Sequence, residues 1–298
     1  MLKFLKSAPF SVPALTAVIY LLLSFCGRYI KAESIGNDSV FLVIIIIQAI
    51  VFAFPCFLYY GLKGGKLNYP MLSGKISGNA LLYSIGAFGV MICGSLLLQL
   101  LFYSNGSGLT FDKGYMDALF AGEKSGVGLF LAYCLVPAVC EELFFRGIVI
   151  GEYKKYGSFN AVVISTLYFT LVHFSKEGFL IYMFAGLVLS ITAVACRSVY
   201  PSMGLHLAFN MYGLYGNSAF ISKTAFNTSV LFVGFVLFVV LLLSLAFMFS
   251  RLENMFAAYS GSSEGKAIPE KSVNNLYIYV TPALIVPIAV FIVINALL

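Results

Sequence analysis

The sequence predicts an all-α fold, a polytopic transmembrane helix bundle of about 8–9 spans, each needing ~20 mostly apolar residues. Three observations carry that reading. The chain of 298 residues is 61% hydrophobic and only 10% charged, where a soluble domain carries roughly 25% charge. Apolar segments long enough to cross a bilayer run from end to end, which leaves no sizeable soluble part. The polar residues gather in short linkers, and their basic members are biased to one side. The net charge of +6 therefore fits the positive-inside pattern of a membrane protein, and scattered lysines give no nucleic-acid patch.

Taken in order, the apolar segments lie at about 9–30, 39–61, 80–103, 125–151, 159–175, 178–196, 201–220, 228–250 and 276–298, each near the length a span requires. The first, behind Lys3 and Lys6, resembles a signal peptide, but large residues precede Cys26 and it reads as an uncleaved span. Residues 41–54 carry no charge and are expected to face lipid over much of their circumference. Pro282 and Pro287 are expected to kink the last span. Residues 62–79 and 251–275 are polar, Gly-rich or Ser-rich, and read as true loops. With the N-terminus in the cytoplasm, the inner side holds 12 of the Lys and Arg residues and the outer side 6, so a cytoplasmic N-terminus is favoured. The outer loop 104–124 also holds Asp112, Asp117 and Glu123.

The fourth segment breaks the apolar pattern with Cys140-Glu141-Glu142-Leu143-Phe144-Phe145-Arg146-Gly147. Charge at membrane depth is costly and marks a candidate functional site, although a Glu–Arg pair that only ties helices together is the plain alternative. Glu142 and Arg146 are four apart and should pair on one face. Glu141 is turned by ~100° from Glu142, towards a different neighbour. The six cysteines lie in or beside apolar segments without a Cys-x-x-Cys spacing and read as small buried hydrophobes. Cys140 is the one placed to act as a nucleophile, but a thiol in apolar surroundings holds little thiolate.

The two histidines, His173 and His206, are both in apolar context and both within a hundred residues of the paired glutamates. With a turn at Gly157, Glu141 and His173 each lie ~22–24 Å from that turn along antiparallel helices. The charged turn, with Glu152, Lys154 and Lys155, is expected to protrude into the cytoplasm, which leaves the pair ~12 Å deep. His206 lies ~9 Å beyond the next cytoplasmic turn and shares a helix face with Asn210. Ser175-Lys176-Glu177-Gly178 follows His173 at once, so either that helix stops inside the membrane or the site lies nearer the outer face. A Glu beside a His suits activation of water. A His and an Asn aimed from another helix suit a developing oxyanion.

Glu141-Glu142-x-x-x-Arg146, Phe169-x-x-x-His173 and His206-x-x-x-Asn210 together resemble the three motifs of the CPBP intramembrane proteases, the CAAX prenyl proteases and bacteriocin-processing enzymes also called the Abi family. Two fixed residues in one helix are weak evidence; three pairs in order on successive segments are specific. The resemblance implies an intramembrane endopeptidase of glutamic type, with a catalytic core of four helices. By motif, Glu141 and His173 would activate the hydrolytic water, His206 and Asn210 would form the oxyanion site, and Glu142, Arg146 and Phe169 would support them. It divides the chain into N-terminal helices at 1–119, the protease core at 120–220 and C-terminal helices at 221–298. The implied partners are a peptide or protein substrate at the membrane, lipidated or not, and the bilayer itself, with no nucleic acid and no stated oligomeric state. No cofactor is required. Short loops and no organelle signal fit a bacterial inner membrane.

Three rivals stand beside this reading. Glu141, His173 and His206 could instead ligate zinc in an open three-ligand site. Intramembrane Glu and His also mark transporters and proton relays, although the inverted repeats expected there are absent from the sequence. The third rival is a non-catalytic partner such as a bacteriocin-immunity protein.

Overall fold

The computed structural model describes residues 8–29, 39–65, 76–103, 126–176, 178–216, 229–260, 278–279 and 281–297, and every regular element among them is helical. We label the helices α1 (Ala8–Tyr29), α2 (Ser39–Leu62), α3 (Gly78–Tyr103), α4 (Gly126–Tyr156), α5 (Ser158–Leu171), α6 (Phe179–Cys196), α7 (Val199–Met211), α8 (Val230–Ser260) and α9 (Pro282–Leu297). Six of these, α1–α4, α6 and α8, are long and apolar enough to cross a membrane, while α5 and α9 are shorter apolar helices. The chain is an integral membrane protein of polytopic all-α type. The loop 104–124, most of the linker 62–79 and residues 261–277 lie outside the described residues.

The chain divides into two units that interleave along the sequence: residues 1–73, 124–174 and 270–298 form the first, and 74–123 with 175–269 the second. The first holds α1, α2, α4, α5 and α9. Tyrosines tie it together where apolar helices leave few polar partners. The Tyr20 hydroxyl of α1 donates to the Tyr168 carbonyl of α5 at 2.7 Å, and Tyr153 of α4 donates to the Ala8 carbonyl at 3.3 Å. Ser11 and Tyr59 share a hydrogen bond of 3.0 Å between α1 and α2. Tyr279, just before α9, donates to Asn160 of α5 at 2.8 Å. The first apolar segment is thus built into this unit's core, with Val12, Thr16, Ile19 and Tyr20 buried on one face.

On α2 the exposed residues Leu42, Ile46, Ile50 and Phe54 recur every four positions, opposite buried Val51 and Phe52. That stripe is the lipid-facing side expected for residues 41–54. Two helices widen locally to π geometry just before a proline: Ala49–Ala53 ahead of Pro55, and Phe130–Leu135 ahead of Pro137. A proline lacks the N–H and its ring collides with the carbonyl four residues back, and the wider turn accommodates both.

The second unit holds α3, α6, α7 and α8. Gly86 of α3 lies so close to α8 that an added Cβ would sit 3.1 Å from the Met248 backbone nitrogen. Small residues at membrane helix contacts permit this approach, which gives van der Waals packing where lipid supplies no hydrophobic drive. Cys93, Leu96, Val233 and Leu237 form the buried seam of the same contact. The other face of α8 is apolar and exposed along its length, with Leu231 at 86% and Phe235 at 65%, as for a helix bathed in lipid.

Four expectations need correction. The segment expected at 159–175 is helical only to Leu171, and its 14 residues rise about 21 Å, short of a ~30 Å hydrocarbon core. His173 therefore lies in the turn past the helix and not within a span. Residues 251–260, read as loop, continue α8 to Ser260. Pro282 is the first residue of α9, where its missing N–H costs nothing, so only Pro287 lies inside the helix. Glu152, expected as part of a solvated charged turn, is fully buried within the protein and paired with Lys63 at 3.1 Å, because the end of α2 brings the ammonium onto it.

Candidate active site

Glu141 lies at the end of the regular part of α4, Val136–Glu142, and the helix then widens again over Leu143–Ile150. No proline accounts for this second wide stretch. It holds Arg146 and Gly147, and π-type bulges recur at functional sites. Glu141 is 8% exposed, while Glu142 and Arg146 are fully buried. Arg146 donates Nη1 to Glu142 Oε1 at 2.5 Å, the four-residue pairing the sequence predicts. Two buried charges are tolerable only as such a pair with further satisfaction around it.

That further contact is aromatic. The Arg146 guanidinium lies 4.6 Å from the centre of the Phe169 ring, from the neighbouring helix α5. Phe169 meets Phe145 edge-on at 5.4 Å and the His173 ring at 4.8 Å. A continuous train of contacts therefore runs from Glu142 through Arg146 and Phe169 to His173. Phe169 and Arg146 are both motif residues, and their contact joins the first two motifs. The register between α4 and α5 is held by Ser165, whose hydroxyl donates to the Phe145 carbonyl at 3.0 Å.

The turn between these helices falls at Gly157, with φ 110°, as the spacing predicts. From the Ser165–Phe145 level, Glu141 lies four residues back along α4 and His173 eight residues forward past α5. Both therefore lie on the same side of that contact. Both belong to the first unit.

His173 Nδ1 lies 2.7 Å from the Phe169 carbonyl. A carbonyl only accepts, so Nδ1 carries a proton, and Nε2 is the nitrogen that holds the lone pair whenever the ring is neutral. The backbone around it closes tightly: the His173 amide donates to the Thr170 carbonyl at 3.4 Å and the Phe174 amide to the Leu171 carbonyl at 3.2 Å. Phe174 then takes φ 49°, a left-handed conformation that is an outlier for a bulky residue. Sequence reasoning missed Phe174, since nothing in a phenylalanine signals positive φ.

His206 and Asn210 belong to the second unit, on α7. Ser198 caps that helix, accepting from the Tyr200 amide, after a left-handed turn at Arg197 with φ 52°. His206 is buried and Asn210 half-buried, four residues apart on one face. Beside them, α7 and α3 enclose an apolar groove of about 340 Å³ lined by Ile76, Ile85, Phe88, Tyr200, Gly204 and Ala208, among others. Among the described residues, no three His, Cys, Asp or Glu side chains form a group that could hold a metal ion. None of the six cysteines is in a disulfide, and Cys140 is buried.

Comparison with known proteins adds one finding. Residues 123–212 match the family model described as Rce1-like, type II CAAX prenyl endopeptidase. No curated protein and no solved structure matches the chain. The matched stretch contains all three motifs, from Glu141 to Asn210, and α1 to α3, α8 and α9 lie outside it. Residues 123–212 are therefore similar to an Rce1-like, type II CAAX prenyl endopeptidase domain, the peptidase family its motifs resemble.

Proposed function

We propose that the chain is an intramembrane endopeptidase of glutamic type. In the proposed reaction, Glu141 takes a proton from a water held with His173, and the water oxygen attacks the scissile carbonyl carbon. His206 and Asn210 donate to the oxyanion that forms. Collapse of that intermediate breaks the C–N bond, and the amine leaves with the proton returned from Glu141, giving a free acid and a free amine. Glu142, Arg146 and Phe169 hold the acid–base pair in place and take no part in proton transfer. The substrate is a peptide or protein tail at the membrane, and the bilayer is the enzyme's medium.

The observation that carries this reading is the train Glu142–Arg146–Phe169–His173, which joins two of the three motifs physically. The short α5 supports it as well. A helix that stops at Leu171 puts non-helical backbone next to His173, and irregular backbone at membrane depth is tolerated where it lines a cavity in protein or water. Hydrolysis needs such a cavity. We place the N-terminus in the cytoplasm, on the basic-residue count, and the protein in a bacterial inner membrane.

The test is peptidomics of membranes bearing the intact protein against Glu141→Ala. Peptides that accumulate only with the intact protein identify both the activity and the bond cut. An unchanged peptide pattern in Glu141→Ala overturns the assignment.

A further inference from the structure

The residues that match the family stop at 212, yet α1 and α9 both reach the end of α5. The Phe174 ring meets Tyr20 of α1 edge-on at 5.7 Å and stacks on Phe291 of α9 at 6.1 Å with planes 9° apart. Tyr20 is fully buried and is itself anchored through its hydroxyl to the Tyr168 carbonyl. Phe174 is therefore gripped on two sides by helices from opposite ends of the sequence. It holds this place with φ 49°, a conformation that bulky residues keep only where the surroundings over-determine it.

His173 is the preceding residue. The Phe169 carbonyl fixes the proton position at Nδ1, and the Phe169 and imidazole rings meet edge-to-face at 4.8 Å. Both partners lie one turn back on α5. Whether the imidazole meets them depends on how the chain leaves the helix at 172–174, and Phe174 fixes that exit. We infer that Phe174, clamped between Tyr20 and Phe291, is a positioning residue for His173, so that the N- and C-terminal helices outside the matched domain set the orientation and tautomer of its ring. Strained backbone at a functional site is commonly held in this way by packing elsewhere. The inference rests on the proposed function only in calling the orientation useful for hydrolysis; the clamp itself does not depend on it.

The chain has only two histidines, which makes the test direct. Full-length protein with 15N-labelled imidazoles is studied in detergent by NMR, where protonated and bare ring nitrogens resonate far apart, and a His206→Asn variant assigns the His173 signals. The intact protein is expected to show His173 as a single Nδ1–H tautomer. Phe174→Gly keeps the left-handed conformation accessible and removes the ring; it is expected to give a mixture of both tautomers. Phe291→Ala removes the stacking partner from α9 and should do the same, and it covers the case in which Phe174→Gly does not fold. Phe174→Tyr should keep the single tautomer. A folded Phe174→Gly or Phe291→Ala variant that retains a pure Nδ1–H ring overturns the inference, since a merely stabilising contact would leave the tautomer alone. Cleavage of a quenched peptide whose S-farnesyl-cysteine is followed by three further residues serves as the second readout. There kcat should fall on the order of 10²-fold with KM unchanged, as for an ångström-scale misplacement. His173→Ala that still cleaves this peptide refutes the proposed function, while the tautomer measurement still decides whether the clamp acts on His173.

Discussion

Replacing Arg146 with leucine removes the guanidinium that the fold sets against Glu142 at bonding distance. Both side chains are fully buried, so the remaining carboxylate has no water to turn to. Breaking a buried pair by removing one partner costs about 3–5 kcal/mol. Arg146 also covers the Phe169 ring at 4.6 Å, a contact worth about 2 kcal/mol when desolvated. The two losses overlap, because the same guanidinium makes both, and the expected cost is the upper half of that range. The double variant Glu142→Leu/Arg146→Leu behaves differently. It fills the same space without charge, and such replacements are often neutral or stabilising by about 1–4 kcal/mol. Unfolding by SDS titration in mixed micelles measures both variants against the intact protein. The single variant should lose several kcal/mol and the double variant should recover most of it. A loss below about 1 kcal/mol in Arg146→Leu, where only exposed pairs belong, would refute the view that this pair within α4 is fully desolvated.

Other outcomes follow from the same geometry. Asn210→Ala should lower kcat by roughly 10²–10³, the effect of losing one oxyanion donor, with folding unchanged; single-turnover cleavage measures it. Lys63→Met leaves the fully buried Glu152 carboxylate without its ammonium and should cost more than Lys63→Met/Glu152→Leu, by about 2 kcal/mol or more; the same SDS titration compares them. A metal-free preparation, verified by elemental analysis and assayed in chelator, should keep full activity. Activity restored only by zinc would favour the rival in which Glu141, His173 and His206 are ligands.

Much of the site can be read from the chain because its parts are local. The Glu142–Arg146 pair is a four-residue relation within one helix, and side chains at that spacing meet whatever the helix packs against. The turn at Gly157 is legible because glycine alone takes φ near 110° without cost. Glu152 misleads for the opposite reason. Beside Lys154 and Lys155 it looks like part of a solvated turn, and the lysine that pairs with it comes from 89 positions away. His173 likewise looks helical, since Phe169 to His173 has helical spacing and the residues between them are mostly apolar.

The sequence by itself determined that this is a polytopic α-helical membrane protein, roughly where its apolar segments lie, and which three motifs are candidates for chemistry. Those properties depend on apolar length and on short spacings, which a bilayer enforces without reference to partners. Only the tertiary structure decided that α5 ends before His173, that Arg146 is roofed by Phe169, and that Tyr20 and Phe291 grip Phe174 from the two ends of the chain. Each of these depends on packing between separate segments, and in an interior packed as densely as a crystal such contacts override local propensity.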